Sequence, residues 1–326
     1  MRAGLMLTDT TAPDAIYCAQ RAEKFGLEGV WVPEMTRRDS VSILGAIAAT
    51  TSVIKIAPSI LNVYSRTPAL VSMTLQTLQE LSNGRLICGL SVGNPTYVTN
   101  IHGMDVKKSV QRLRETVQII RKVSAGGPIN HEGKIFHIKS WNPSFPSLKP
   151  FPIYLGAHNP SLLRLVGELC DGVILNLVDT EDVRNASKVI RDSAEKHGRD
   201  PHKIEVASIM MVALDDDRSV AEKRVRQQIA YYLLRSQLIR KRLGESRHSE
   251  EMQRIEASLN TGKLDMVASS LSREFVDSLS IYGSKEELQR KLLDYERVGL
   301  SQPIFYVAGW LGDSRAFTDN LLKHLE

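Results

Sequence analysis

The sequence predicts an eight-stranded parallel α/β barrel, a (βα)8 TIM barrel, as one domain over residues 1–326 with insertions after strands four and seven. Three observations carry that expectation. Short apolar runs alternate eight times with segments of helical period, and repeated strand–helix units force parallel strands because each crossover returns the chain to the same end. The length of 326 residues exceeds a minimal barrel of roughly 250, and two irregular stretches account for the excess. The turn after the first strand, Thr8-Asp9-Thr10-Thr11-Ala12-Pro13, holds no glycine, and no GxGxxG or GxxxxGK[ST] occurs in the chain. That argues against the rival doubly wound sheet with its phosphate turn.

The elements follow in order. Residues 3–7 read as a buried strand, and after Pro13 a helix carries Ala15, Ala19 and Ala22 on one stripe until Gly26. Strand two is 29–32, followed by a small-residue helix to Thr51 that Asp39 is placed to cap. Strand three is 54–60. Pro68 opens a helix with Val71, Leu75 and Leu78 in register, ended by Asn83-Gly84. Strand four is 85–91, followed by a helix over 108–124. Residues 129–138 suggest a hairpin, and 141–152, with four prolines, a loop. Strand five is 152–157, its helix opened by Pro160; strand six is 172–176, its helix 181–196; strand seven is 203–214. A polar helical insertion at about 219–279 is too long for one crossover. A helix over 285–298, strand eight at 303–307 and a helix over 314–325 complete the chain.

Composition narrows the function. Apolar residues at 42% and charged residues at 24% describe a globular chain, and no run is long enough to span a membrane. Asp9 follows only a short apolar start, so no signal peptide is expected. Cys18, Cys88 and Cys170 are far apart and odd in number, which predicts reduced thiols and a cytoplasmic setting. The net charge of +5 resides in residues 222–254, where nine bases face four acids. Without interleaved aromatics this segment is no nucleic-acid module. It reads either as a solvated helix face or as a surface that steers a small polyanion.

In such a barrel the site lies at the C-terminal strand ends. That selects Glu34 with Met35 and Arg37, the run Ser59-Ile60-Leu61-Asn62, Gly93-Asn94 with His102 beyond, Gly156-Ala157-His158-Asn159, Asn176, and Tyr306 with Trp310. No His, Cys and carboxylate spacing suits a metal, and no serine stands in a nucleophile elbow. Glycine, asparagine and few acids suit a planar cofactor approached by backbone better than an acid–base hydrolase. Gly156-Ala157-His158-Asn159-Pro160 is either an anion site at a helix start or a plain strand–helix turn.

These residues resemble a known family, the luciferase-like barrel flavoproteins, and within it the branch that uses the deazaflavin coenzyme F420. The resemblance rests on AEKFGLEGVWVPE (22–34), SILNVYSRTPALVSMTLQTLQELSNGRLICGLSVGNP (59–95), HEGKIFHI (131–138), PIYLGAHNPSLLRLVGELCDGVILN (152–176) and GSKEELQRKLLDYERVGL (283–300). GNPTYVTNIHGM after strand four is most similar to the methylenetetrahydromethanopterin reductases. The helical stretch from about 224 to 279 has no counterpart in the resemblance.

The resemblance implies a ring at the barrel mouth, with a non-proline cis peptide between Ser59 and Ile60 pressing on it. It implies that Asn62 and Asn94 bond the ring's polar edge, with Gly93 and Gly156 beside it. Ala157, His158, Asn159, Gly172 and Val173 match positions that take the cofactor phosphate through backbone amides, with His158 adding a bond if protonated. Leu61 stands where the family usually has a small or hydroxylated residue, so one polar ring contact is expected to be missing. Related enzymes carry an acid–His pair after strand two; here it is Glu34-Met35. The implied chemistry is hydride transfer to or from an already electrophilic carbon, such as a methylene-tetrahydropterin-type one-carbon carrier. Glu34 then orients the substrate, or else pairs with Arg37 or Arg38. Lysines and arginines including Arg240, Lys241 and Arg242 are placed to steer the acidic tail of F420. The alternatives are an FMN-dependent monooxygenase and a flavin-binding protein without turnover. A homodimer or higher homo-oligomer is expected, through the small-residue helix around Gly45-Ala46-Ile47-Ala48-Ala49.

Overall fold

Capping chemistry sets the element boundaries. Thr11, Thr67 and Asn159 each accept a backbone N–H of the first turn, each with proline in that turn, and Gly26 ends the first helix in the left-handed conformation. The computed structural model describes residues 2–8, 10–34, 38–143, 149–309 and 313–326. The elements are β1 (Gly4–Met6), α1 (Ala12–Phe25), β2 (Gly29–Val32), α2 (Ser40–Thr50), β3 (Lys55–Pro58), β4 (Leu61–Asn62), α3 (Pro68–Leu81), β5 (Cys88–Ser91), α4 (Pro95–His102) and α5 (Ser109–Ala125). Next come β6 (Ile129–Glu132), β7 (His137–Trp141), β8 (Ile153–Gly156), α6 (Pro160–Leu169), β9 (Gly172–Asn176), α7 (Thr180–Lys196) and β10 (Glu205–Leu214). The helical segment holds α8 (Arg218–Arg235), α9 (Gln237–Gly244), α10 (Ser249–Arg254), α11 (Glu256–Asn260), α12 (Leu264–Ser270) and α13 (Arg273–Leu279). Finally come β11 (Ser280–Gly283), α14 (Lys285–Glu296), β12 (Gln302–Val307) and α15 (Ser314–Leu325).

The large sheet is parallel throughout, in the order β3-β2-β1-β12-β10-β9-β8-β5-β4. Its two ends meet where Ile56 donates to the Arg85 carbonyl and Ile87 donates to that of Ile56. This is the expected barrel. Three details differ from the sequence reading. The third strand divides into β3 and β4 around a cis peptide between Ser59 and Ile60. A short helix, α4, follows β5. An extra strand, β11, pairs with residues 211–214 of β10, because β10 is ten residues long and extends beyond its pairing with β9 at Ile209.

Alternation along β10 separates two cores. Val206, Met210, Val212 and Leu214 face the helix layer, while Ala207, Ile209, Met211 and Ala213 face the barrel interior. Trp31 and Tyr154 fill that interior with ring centroids 5.9 Å apart. A Cβ on Gly172 would lie 2.7 Å from the Tyr154 ring. The interior core continues into the helical segment through Val225, Ile229, Leu233 and Leu243. A second sheet, β6–β7, is pinned to α5 by Glu115, which accepts backbone N–H bonds from Lys134, Ile135 and Phe136 at 2.8–3.1 Å. Burial acts to raise the Glu115 pKa, but Gln111 and these N–H groups outweigh it and pull it down to about 2. Arg112 stacks between the rings of Tyr64 and Phe136, at 4.7 and 5.0 Å. Among the described residues no helix is long and apolar enough to cross a membrane.

Candidate functional site at the barrel mouth

The C-terminal ends of β2, β4, β5, β8 and β9 bring most of the expected residues to one face. At β3–β4 the cis peptide between Ser59 and Ile60 turns the chain. Ser59 is buried and its hydroxyl has no partner among the described residues. A Cβ on Gly156 would stand 3.4 Å from Ile60 Cγ2 and 3.2 Å from Ser91 Cβ, so three strands converge there without bulk. The Ser91 hydroxyl donates to the Gly156 carbonyl at 2.8 Å. Asn62 is buried; its Oδ1 accepts from the Tyr64 N–H at 2.7 Å, which leaves its NH2 as the outward donor. Gly93 has φ of +70°, and a Cβ there would approach Asn62 Nδ2 to 2.8 Å. Glycine at 93 therefore lets the chain pass over Asn62. Asn94 caps α4 through Oδ1, at 3.0 Å from the Thr96 N–H, and keeps only its NH2 for other partners. Leu61 is buried in the helix-side core, so its identity does not alter the polar lining of the mouth.

Glu34 lies just beyond β2, largely buried, and both oxygens are engaged. Arg66 Nη1 donates to Oε1, and the Ser40 hydroxyl donates to Oε2 at 3.1 Å. The second nitrogen of Arg66 holds Asp39 at 2.7 Å, while Asp39 caps α2. The partner of Glu34 is therefore Arg66, not Arg38, which is exposed; Arg37, like Met35 and Trp310, lies outside the described residues. Arg66 is the residue that sequence reasoning missed.

The β8–β9 corner requires corrections. The Ala157 N–H donates to the Ile174 carbonyl at 3.4 Å, so it belongs to the sheet and is not offered to a ligand. Gly172 and Val173 begin β9 at the opposite end of the barrel, buried against Tyr154 and the helix layer, and cannot meet a phosphate at the mouth. His158 and Asn159 remain. Both are exposed, and no acceptor among the described residues takes their backbone N–H groups. Asn159 Oδ1 caps α6, at 2.9 Å from the Leu162 N–H. His158 is exposed, with surrounding protein first, and the Arg242 charge second, pushing its pKa down. The nearby Arg242 charge works against the expected protonated contact. His102 is exposed at the end of α4. The Tyr306 hydroxyl, inside the mouth, accepts from Gln228 of α8 at 2.9 Å. Among the described residues no group of His, Cys, Asp or Glu is placed to hold a metal ion.

A family model described as luciferase-like monooxygenase matches residues 2–302. The chain is 28% identical over 294 residues to a 5,10-methylenetetrahydromethanopterin reductase of Archaeoglobus fulgidus, covering 88% of this chain and 87% of that protein. Among solved structures, the coenzyme F420-dependent tetrahydromethanopterin reductase of Methanopyrus kandleri superposes with a TM-score of 0.87 at 22% identity, over 99% of this chain and 97% of the other. The oxygenating constituent of 3,6-diketocamphane monooxygenase of Pseudomonas putida, in complex with FMN, gives 0.69 at 18% identity over 100% and 97%.

Proposed function

This chain belongs to the luciferase-like monooxygenase family, and from that premise we propose that it is a coenzyme F420-dependent oxidoreductase. Its reaction moves a hydride between the deazaflavin ring and a small organic substrate of the methylene-tetrahydropterin type. The observation that carries this reading is the convergence of Ser59, Ile60, Ser91 and Gly156 into a surface with little bulk, edged by the Asn62 and Asn94 NH2 donors. The similarity to the reductases and the F420-dependent fold neighbour supports the choice of coenzyme. The residues fit such a group: the buried Ser59 hydroxyl, without a partner among the described residues, stands next to Ile60 and its glycine-lined surroundings.

When bound, a deazaflavin ring supplies a carbon that takes or gives a hydride. The chain's own residues then do three things. Ile60 and Gly156 form the face against which a ring lies. Asn62 and Asn94 would donate to its polar edge and would stabilise negative charge there. The N–H groups of His158 and Asn159, at the start of α6, bind the phosphate. Glu34 faces the substrate as a fixed acceptor, since Arg66 and Ser40 hold one site on each oxygen and leave the others. No imidazole stands beside it, which suits a substrate carbon that accepts hydride without giving up a proton. Copies of the chain pair through α2, where Gly45 has open space around it and Ala49 is exposed.

Titrating the purified protein with F420 and with FMN tests the assignment. Tight stoichiometric binding of F420, with a perturbed visible spectrum, is expected. Preference for FMN with oxygen consumption would move the protein to the monooxygenase branch, and binding of either without turnover would leave a carrier.

A further inference from the structure

The ionic groups that seal the helical segment onto the end of β9 are not equally satisfied. Asp179 is fully engaged: it accepts from Arg247 Nε at 2.6 Å and His248 Nε2 at 2.8 Å while capping α7. Arg242 is not. Its Nη1 donates to Asp182 Oδ2 at 3.2 Å, and its Nη2 donates to the carbonyls of Asn176, at 3.3 Å, and Leu177. One carboxylate thus faces a guanidinium whose side chain is only 20% exposed. With one bond at Nη1, and Nη2 turned to the two carbonyls, the Nε–H and the second Nη1 hydrogen take no acceptor among the described residues. Burial pulls the Arg242 pKa down, against the charges of Asp182, which it touches, and of Asp179, which is committed to Arg247 and His248.

Its position matters. Asn176 ends β9 two residues beyond Ile174, whose carbonyl takes the Ala157 N–H. Arg242 therefore stands at the same corner of the mouth as the open N–H groups of His158 and Asn159, close enough for its charge to act on His158. Neighbouring cations do not share this situation. Arg247 is committed to Asp179, and Lys241 is exposed and 3.9 Å from Glu245 on its own helix.

We propose that Arg242, delivered by the helical segment, determines specificity for the phosphate-bearing arm of the coenzyme. Its free guanidinium N–H groups complete the anion site begun by the backbone of His158 and Asn159. The inference rests on the proposed function, and it gives residues 218–279 a role in coenzyme choice.

Paired probes test it: FMN against riboflavin, and F420 against its phosphate-free deazaflavin, each titrated by fluorescence. Arg242→Met is expected to weaken the phosphate-bearing member about 10- to 100-fold, the scale of a charge-assisted bond, and the phosphate-free member less than about two-fold. Arg242→Lys should recover part of the loss, and Lys241→Met should change neither. Asp182→Asn, which removes the competing carboxylate, should tighten the phosphate-bearing member. Equal weakening of both members, no weakening of either, or a loss of affinity in Asp182→Asn would each overturn the proposal. Circular dichroism establishes that each variant is folded; if the methionine variant is not, the lysine and asparagine variants carry the comparison. Binding of neither member to the unaltered protein would remove the functional reading and this inference together. Binding of phosphate-free and phosphate-bearing forms with equal affinity would remove this inference alone.

Discussion

At the β2–β4 flank of the mouth, two carboxylates, Glu34 and Asp39, share one guanidinium, that of Arg66. At the β8–β9 flank, a guanidinium with one carboxylate stands beside two open backbone N–H groups and the His158 imidazole. The first flank carries an excess of one negative charge; the second is balanced in charge and presents N–H donors that no acceptor among the described residues takes. Under the proposed function, a ligand with one anionic end would place its phosphate toward α6 and its reacting end toward Glu34. The fold supplies the same backbone geometry at every strand end, and the side chains of the flanking loops supply the direction.

The contrast can be broken or sharpened in order of expected effect. Arg66→Met leaves Glu34 buried without its partner and should cost about 3 kcal/mol, read as a fall in the urea midpoint; an unchanged midpoint would mean that water replaces the guanidinium. Glu115→Gln removes the anchor of the β6–β7 hairpin that supports Tyr64 and, through it, Asn62, at about 2 kcal/mol near neutral pH. The sign of its pH dependence follows from a folded pKa of about 2 against an ordinary 4.5. The stabilisation is present above pH 4.5 and is lost as pH falls toward 2, so the unaltered protein and the variant should converge in urea midpoint there. Gly93→Ala forces a left-handed residue to carry a Cβ against Asn62 and should cost about 1–2 kcal/mol, together with weaker coenzyme binding in the same titration. The smallest effect is ionic. Raising salt from about 0.05 to 0.5 M should weaken FMN a few-fold and leave riboflavin nearly unchanged, since Arg242 is only partly buried.

The barrel was legible because strand and helix periods alternate along the whole chain, and the cis bond because SILN carried the family pattern. What escaped the sequence was direction and distance. PIYLGAHNP and CDGV stand close together in one motif, yet the first ends a strand and the second begins one, so His158 and Gly172 lie at opposite ends of the barrel. Arg37 and Arg38 are the near partners for Glu34 in sequence; Arg66, 32 residues away, is the partner in space. Its signal was present in SRTP, a cation just before a capped helix on the adjoining strand. Arg240, Lys241 and Arg242 read as three equal bases, and only packing separates Arg242, held against the end of β9, from Lys241, which is solvated.

β10 extends five residues past its pairing with β9 at Ile209, and its upper part carries β11 and lies under the helical segment. At about 3.3 Å per residue, the strand runs roughly 16 Å further than its neighbour, so on that side the rim is carried by β10, β11 and the helical segment and not by a loop.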